Sequence, residues 1–201
     1  VVSVGATLQD INALAPCYVK DGKRIVFARG SFFTVEAAGG VPEGKTYGSI
    51  LGSDPALSPV DDTLVYAGIN GGLWMLKPGA DQGNEIVDGD AMYFAEDPVW
   101  FPDASGIVFT GRTTNQTGWS GRNLAAWIAQ NKQLVQLTDL LNEEVEDPTI
   151  SPDGKWIAAI RVMNGDGKSK RELWVWKVGE PQTCWQIETR GTPAHPAWCP
   201  K

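Results

Sequence analysis

The sequence has little positive charge, a single histidine and no long apolar run. Among its 201 residues, 17 are Lys or Arg and 24 are Asp or Glu, which gives a formal net charge of −7. A protein that binds the phosphate backbone of a nucleic acid needs a basic surface, so this acidic balance argues against that class. A membrane-spanning helix needs roughly 20 consecutive apolar residues, and no stretch of the sequence approaches that length.

Cysteine and histidine are too few and too scattered for a zinc site. Cys17, Cys184 and Cys199 show no CxxC spacing, and His195 is the only histidine. The cysteines fit either one disulfide with a remaining thiol or three small buried hydrophobes. A Ser-His-Asp site would have to use His195, and the G-x-S-x-G motif is absent. We therefore expect no cofactor, no metal and no catalytic residue in this chain. Whether the protein is an enzyme stays undecided, but these expectations favour a non-enzymatic protein.

Tryptophan, glycine and proline, by contrast, are abundant. The sequence contains 9 Trp, 23 Gly and 13 Pro, and its hydrophobic residues, 42% of the total, are spread over short runs. Short apolar segments separated by turn residues are typical of strands rather than helices. The composition therefore predicts an all-β protein, and its length is enough to bury a core without disulfide support.

One pattern recurs five times along the chain. Each copy contains a proline, successive prolines are 39 to 50 residues apart, and an apolar run begins nine residues after each of the first four. The copies start at Ala15-Pro16, Asp54-Pro55, Asp97-Pro98, Asp147-Pro148 and His195-Pro196, and the runs start at Ile25, Leu64, Ile107 and Ile157. Self-similarity at a period of about 45 residues indicates a repeat architecture.

Each repeat is consistent with four short strands. The first strand is predicted to start at the proline, where no ladder donor is needed, and to end at a turn such as Ser151-Pro152-Asp153-Gly154. The second is the apolar run, which suits a strand buried on both faces. The predicted second strands are 24–28, 64–67, 106–110 and 156–160, the third 31–36, 73–77, 124–129 and 173–177, and the fourth 47–51, 85–87, 133–137 and 184–188.

Four short strands recurring at this period predict a β-propeller made of four-stranded antiparallel blades around a central channel. Bulky indole rings fill the space between blades. Trp174 and Trp176 are two residues apart and point to one sheet face, so we prefer interblade packing to a stacking platform for sugars or peptides. The predicted units are an outer strand in 1–14, four complete blades in 15–53, 54–96, 97–146 and 147–194, and a first strand in 195–201.

The single strands expected at the two ends do not complete a blade, because a first strand is innermost and a fourth strand is outermost. Three interpretations stay open. The chain is a piece of a six- to eight-bladed ring, it pairs with another chain or another copy of itself, or it is a small propeller with irregular closure. An open end exposes apolar faces and strand edges, which association normally covers.

The most regular copy resembles the repeat of TolB-like propellers, a WD-like family. The segment from Asp147 to Ala158, with the letters DPTISPDGKWIA, matches its P-x-x-SPDG pattern, while LWVW at 173–176 and QLTD at 136–139 resemble two further elements. The copy at Pro16 lacks the Ser-Pro pair and the copy at Pro98 lacks the turn glycine. The Gly-His and Trp-Asp pairs of ordinary WD repeats are absent.

The resemblance implies an exported, periplasmic or extracellular propeller that serves as a binding platform. The same repeat also builds the non-catalytic propeller of prolyl-oligopeptidase-like peptidases and of some polysaccharide lyases, so it specifies architecture better than activity. Three hypotheses follow: a non-enzymatic scaffold that binds a protein or ligand, the propeller portion of a larger hydrolase or lyase, and a structural subunit that assembles through its unclosed ends. For the scaffold, the partner would bind at the channel mouth or at the long loops 112–123 and 163–172.

The residues that precede the repeat prolines are the candidate binding site. In a propeller, Asp54, Asp97, Asp147 and His195 are expected to gather at one mouth of the channel, where three carboxylates and an imidazole would bind a cation or an ammonium group. The alternative is structural, in which each Asp caps a turn and accepts backbone N–H groups between blades. The acidic run 142–147 is expected to be solvated surface, and the alternative is that it attracts a basic partner.

Overall fold

The computed structural model describes residues 14–43, 47, 50–115, 118–119, 121–165 and 168–199. In these residues every regular element is a β-strand, and the chain is all-β as predicted. No helix in this part of the chain is long and apolar enough to cross a membrane. The strands are β1 (Leu14–Tyr18), β2 (Arg24–Ala28), β3 (Phe32–Glu36), β4 (Gly52–Leu57), β5 (Leu64–Gly68), β6 (Leu73–Leu76), β7 (Asn84–Val87), β8 (Tyr93–Trp100), β9 (Gly106–Arg112), β10 (Thr114–Asn115), β11 (Gly118–Trp119), β12 (Asn123–Ile128), β13 (Gln133–Gln136), β14 (Glu143–Ile150), β15 (Trp156–Gly165), β16 (Lys168–Lys177) and β17 (Glu180–Ile187).

The strands form consecutive antiparallel sheets, which we call the first to fourth blades. The second, third and fourth blades have the orders β4-β5-β6-β7, β8-β9-β12-β13 and β14-β15-β16-β17, and β10-β11 is a small separate hairpin. The first blade contains β1-β2-β3 in the described residues. Of its predicted outer strand 47–51, the structure describes residues 47, 50 and 51, and none of these three is in a strand. The predicted strand 1–14 lies outside the described residues except for its last residue. The innermost strands contact each other in the order β1, β4, β8 and β14, and the sheets formed by the described residues do not close into a ring.

The innermost strands do not start at the prolines, so that prediction was wrong. β4, β8 and β14 begin at Gly52, Tyr93 and Glu143 and run through Pro55, Pro98 and Pro148. The register shifts by one bulge at each proline, for example between Glu146 and Thr149. Since proline has no N–H to donate, the ladder is interrupted there and resumes one residue later.

The core lies between blades, in three apolar clusters. The cluster between the third and fourth blades buries the side chains of Leu124, Ile157 and Trp176, and Trp174 packs beside it with its ring centroid 6.2 Å from that of Trp176. The predicted interblade packing of this tryptophan pair is therefore confirmed. The other two clusters join the first to the second blade and the second to the third, around Phe32 and Phe109 respectively.

The turn after each innermost strand repeats one hydrogen-bond pattern. An Asp side chain accepts the backbone N–H two residues later, at distances of 2.8 to 3.1 Å in the four copies. In the fourth blade, Ser151 Oγ also accepts the N–H of Trp156, and Gly154 has a φ of +70° that its missing side chain permits. These turns hold the first and second strands of each blade in register.

Candidate functional site

The residues before the repeat prolines line one cavity of about 250 Å³ where the innermost strands meet. We call this cavity the channel mouth. The residues that precede the prolines come from different repeats, so they are distant in sequence and only the fold brings them together. The residues before the prolines are Ala15, Asp54, Asp97, Asp147 and His195, and Pro55, Pro98, Pro148 and Pro196 complete most of the wall.

The backbone at these positions has an unusual conformation that is repeated five times. The φ angles are +47°, +50°, +52°, +52° and +45° from Ala15 to His195. A positive φ is uncommon outside glycine, and a residue before proline normally adopts an extended conformation with negative φ. A bulge of this kind changes the direction of a side chain, so that it no longer follows the alternation of faces along the strand. Asp and Asn tolerate positive φ better than most residues, which suits three of the five positions.

Burial and neighbouring carboxylates disfavour the ionisation of Asp97 in the channel mouth. Burial and, after it, the charges of Asp54, Asp147 and Glu96 raise the pKa of Asp97 to about 6, against the lowering effect of Arg122. Burial also raises the pKa of Asp54, although Arg122 again opposes the shift. A cation in the mouth would relieve this repulsion, because a nearby positive charge favours the ionised carboxylate.

His195 lies at the exposed side of the channel mouth. Its Nδ1 is 3.3 Å from Asp147 Oδ2, and its side chain is 85% exposed. Its backbone N–H donates to the same oxygen at 3.4 Å. Asp147 therefore makes the contact between repeats that the structural alternative requires.

The other two aspartates are satisfied within their own blades. Asp54 Oδ2 accepts a hydrogen bond of 2.9 Å from Ser53 Oγ, and Asp97 Oδ2 lies 3.4 Å from Thr110 Oγ1. Each carboxylate keeps further acceptor positions beyond this one contact. In the part of the chain that the structure describes, no three side chains among His, Cys, Asp and Glu are grouped as metal ligands. Carboxylates with open acceptor positions are suited to charge-assisted hydrogen bonds with an ammonium or guanidinium group.

A layer of ion pairs surrounds the channel mouth, and sequence reasoning missed it. Glu96 pairs with Arg122 at 3.0 Å, and Glu146 pairs with Arg171 at 2.7 Å. Arg171 also reaches Asp147 at 3.8 Å. The sequence does carry a signal for this layer. Basic residues lie at the ends of the second and third strands, and acidic residues lie in the innermost strands that face them.

The acidic run 142–147 is not solvated surface, and that expectation was wrong. Glu143 and Glu144 lie in β14 with side chains about a quarter exposed, where they pair with Arg161 and Arg112. Arg112 belongs to the third blade, so its ion pair with Glu144 joins two blades. The run is partly buried because it forms the innermost strand of a blade rather than a loop.

The predicted long loop 163–172 is also different in the structure. β15 and β16 continue through most of it, and their pairing extends as far as Gly165 and Lys168. The segment is therefore the outer part of a long hairpin. In the other predicted binding loop, 112–123, β10 and β11 pair as a short hairpin.

Two exposed aromatic rings precede the channel mouth in β8. Tyr93 and Phe94 are 37% and 47% exposed, and their ring centroids are 4.1 Å apart in an edge-on arrangement. Phe94 has a φ of +51°, which is rare for a bulky residue. Glu96 and Asp97 follow in the same strand, so an aromatic surface and a carboxylate surface are contributed by one strand.

The three cysteines form no disulfide with each other. Cys17 is half-buried, and burial raises the pKa of its thiol to about 12, so it behaves as a small hydrophobe. Cys184 and Cys199 are exposed, and the prediction of three buried cysteines was wrong for these two. They lie on the outer strand β17 and beyond the last repeat proline, where no blade covers them in the described residues.

Comparison with known proteins shows similarity at the level of structure. No protein-family model matches the sequence, and a comparison with curated proteins found no match either. The chain is similar to TolB from Acinetobacter baumannii, with 19% identity and a TM-score of 0.63 over 83% of this chain and 41% of that one. It is also similar to a TolB structure from Agrobacterium tumefaciens, with 17% identity and a TM-score of 0.68 over 87% of this chain and 61% of that one.

A peptidase shows the same likeness. The puromycin-hydrolysing peptidase of Mycobacterium tuberculosis has 14% identity and a TM-score of 0.62 over 87% of this chain and 29% of its own length. The chain therefore has a TolB-like propeller fold, and it spans about two fifths and three fifths of the two TolB structures. The fold is shared by proteins with different activities, so the function has to be argued from the site.

Proposed function

We propose that this chain is a non-enzymatic scaffold that binds a protein partner and takes one cationic side chain of that partner into the channel mouth. The observation that supports the proposal is that separate repeats place Asp54, Asp97, Asp147 and His195 around one cavity. A periplasmic or extracellular location belongs to the same proposal, and the TolB-like fold supports it.

The size and charge of the channel mouth favour a single basic side chain. A cavity of about 250 Å³ is small for a whole ligand but accommodates the end of a Lys or Arg side chain. Charge-assisted hydrogen bonds to carboxylates are about twice as strong as neutral ones. The net charge of −7 would also attract a basic partner before contact.

The rings of Tyr93 and Phe94 extend this surface. Exposed aromatic side chains are frequent anchors in protein interfaces, since they bury a large area at low entropic cost. A partner loop that carries a basic residue beside an apolar one would contact both the rings and the carboxylates of β8. The variable hairpins of the third and fourth blades would provide further contacts.

Binding of capped peptides to the purified chain tests the proposal. Acetyl-Gly-Lys-Gly-amide and acetyl-Gly-Arg-Gly-amide are titrated by NMR, and acetyl-Gly-Glu-Gly-amide is the control peptide. We expect the basic peptides to shift resonances of the channel mouth, and the double substitution Asp54→Asn with Asp97→Asn to weaken binding about tenfold. Binding should also weaken as the pH falls through about 6, where Asp97 becomes protonated.

A matched variant controls for the loss of charge. Asp81 is exposed and lines a separate cavity together with Asp62, so Asp81→Asn should leave the peptide affinity unchanged. Equal binding of the three peptides, or equal weakening by substitutions at Asp81 and at Asp97, would contradict the proposal.

A second candidate is the propeller portion of a larger hydrolase. The likeness to the puromycin-hydrolysing peptidase supports it, because that likeness involves only 29% of the peptidase chain. In this case the chain would contribute no catalytic residue and would position a substrate for another domain. Sequencing the complete reading frame distinguishes the two candidates, since a catalytic domain next to these blades would favour the hydrolase.

A further inference from the structure

One repeat position differs between the second blade and the next two. The third strands are aligned by the leucines that pair with the residue twelve positions after the repeat proline, namely Leu73, Leu124 and Leu173. Two positions before these leucines, the equivalent residues are Gly71, Arg122 and Arg171. The second blade therefore has no side chain where the third and fourth blades each have a guanidinium group.

In the fourth blade, this arginine lies beside the carboxylate of the channel mouth. Arg171 Nη2 is 3.8 Å from Asp147 Oδ2, and the backbone N–H of His195 donates to the same oxygen at 3.4 Å. Arg171 is held from two further sides, because its Nη1 pairs with Glu146 at 2.7 Å and its Nε donates to the carbonyl of Pro193 at 3.3 Å. Asp147 thus has a fixed positive charge next to it before any ligand binds.

Asp54 and Asp97 have no such neighbour. Among the described residues, neither carboxylate forms an ion pair with a basic side chain, and Arg122 makes its ion pair with Glu96 instead. Each accepts one hydrogen bond from a hydroxyl group of its own blade, at 2.9 and 3.4 Å. Among the charged neighbours of Asp97, Asp54 has the largest effect in raising its pKa. These two carboxylates are therefore the half of the channel mouth whose negative charge is least compensated.

The glycine of the second blade lies against the aromatic end of β8. A Cβ atom at Gly71 would be 3.8 Å from the backbone nitrogen of Phe94 and 3.9 Å from the ring of Tyr93. Gly71 has a φ of +82°, which glycine adopts without strain. No arginine side chain starts here, so an apolar group of a partner can lie on the two rings in the same strand that carries Asp97.

Building on the proposed function, we infer that the partner's cation binds between Asp54 and Asp97, and that Arg171 is a specificity-determining residue that withdraws Asp147 from binding. The fixed guanidinium group already occupies part of the acceptor capacity of Asp147 and repels a second cation. The channel mouth therefore accepts a single ammonium or guanidinium group rather than two adjacent ones.

Two substitutions at equivalent positions test the inference. Asp97→Asn and Asp147→Asn each replace an aspartate before a repeat proline by a residue that tolerates positive φ. We expect Asp97→Asn to weaken the binding of acetyl-Gly-Lys-Gly-amide about threefold at pH 7.5, measured by NMR titration, because an ionic hydrogen bond is lost. Asp147→Asn should change the affinity by less than about 1.5-fold, since its charge is compensated within the chain.

Substitution of the arginine should reverse the result at Asp147. In a chain with Arg171→Gln, Asp147→Asn should weaken binding about threefold, because residues in contact have coupled effects. Arg171→Lys is the matched control, since it keeps the positive charge, and in that chain Asp147→Asn should again have little effect.

The outcomes separate this inference from the proposed function. Equal weakening by Asp97→Asn and Asp147→Asn would overturn the inference and leave the proposed function standing, and this comparison does not require the Arg171 variants to fold. An unchanged effect of Asp147→Asn in the folded Arg171→Gln chain would also overturn it. If the chain bound the basic and the acidic peptide equally, the proposed function would fail, and the inference with it.

Discussion

The contacts between blades and the contacts around the channel mouth use opposite chemistry. Between blades, fully buried side chains such as Phe109 and Ile157 pack without polar partners. Around the mouth, Glu144 and Arg112 meet across two blades and Asp97 lies among other carboxylates. Apolar burial supplies most of the free energy of folding, whereas partly buried ion pairs supply position and specificity at little net gain. The apolar clusters between blades therefore stabilise the fold, whereas the channel mouth presents charged groups that are suited to binding.

Removing a ring between blades should have the largest effect on stability. Phe109 is 0% exposed in the cluster between the second and third blades. Phe109→Ala should lower the free energy of unfolding by about 3–5 kcal/mol, measured by urea denaturation, because the lost transfer energy adds to the cost of a cavity. Val60 is 47% exposed in a turn, and Val60→Ala should cost less than about 0.5 kcal/mol. Similar losses from the two substitutions would mean that the apolar clusters are not the main source of stability.

Breaking the ion pair between the third and fourth blades should have an intermediate effect. Glu144→Gln leaves the half-buried guanidinium of Arg112 without its carboxylate, at an expected cost of about 1–2 kcal/mol. The comparison pair is Lys155 and Asp153, which is largely exposed at 72% and 53%. Lys155→Ala should change the free energy of unfolding by less than about 0.5 kcal/mol. Equal costs in thermal or urea unfolding would show that partial burial adds nothing to the pair between blades.

Removing one carboxylate from the channel mouth should stabilise the protein slightly, in contrast to the first two changes. The pKa of Asp97 is raised to about 6 in the folded chain, above the 3.8 of an unperturbed aspartate. Folding therefore favours the protonated carboxyl, and the destabilisation by Asp97 is absent below about pH 4 and complete above about pH 6. Asp97→Asn keeps a residue that tolerates positive φ. We expect it to raise Tm by about 2–4 °C at pH 7.5 and to leave Tm unchanged at pH 4.

The same comparison explains which sequence-based predictions succeeded. The second strands were predicted because short apolar runs recur in register, as at Ile107 and Ile157, and burial on both faces is encoded residue by residue. The interblade packing of Trp176 was predicted for the same reason. The extent of β14 was not predicted, since the run of Glu143, Glu144 and Glu146 resembles a solvated segment when its arginine partners, distant in sequence, are unknown.

The repeat prolines marked the candidate site but not its geometry. Sequence alone aligned Asp54, Asp97 and Asp147 at one repeat position, and propeller geometry led us to expect them at one mouth of the channel. Neither the sequence nor propeller geometry showed that each of these aspartates lies in a bulge with positive φ, or that Arg122 lies near two of them. These features depend on how neighbouring blades are placed, which no local pattern records.

By itself, the sequence determined the fold class, the repeat period and the apolar surfaces between blades, because each depends on residues spaced within one repeat of about 45 residues. Only the tertiary structure decided the chemistry of the channel mouth. Its acidic cavity, its ring of ion pairs and the raised pKa of Asp97 arise where five repeats meet. Electrostatic interactions depend on distance in space and on burial, and both are set only when the blades are packed.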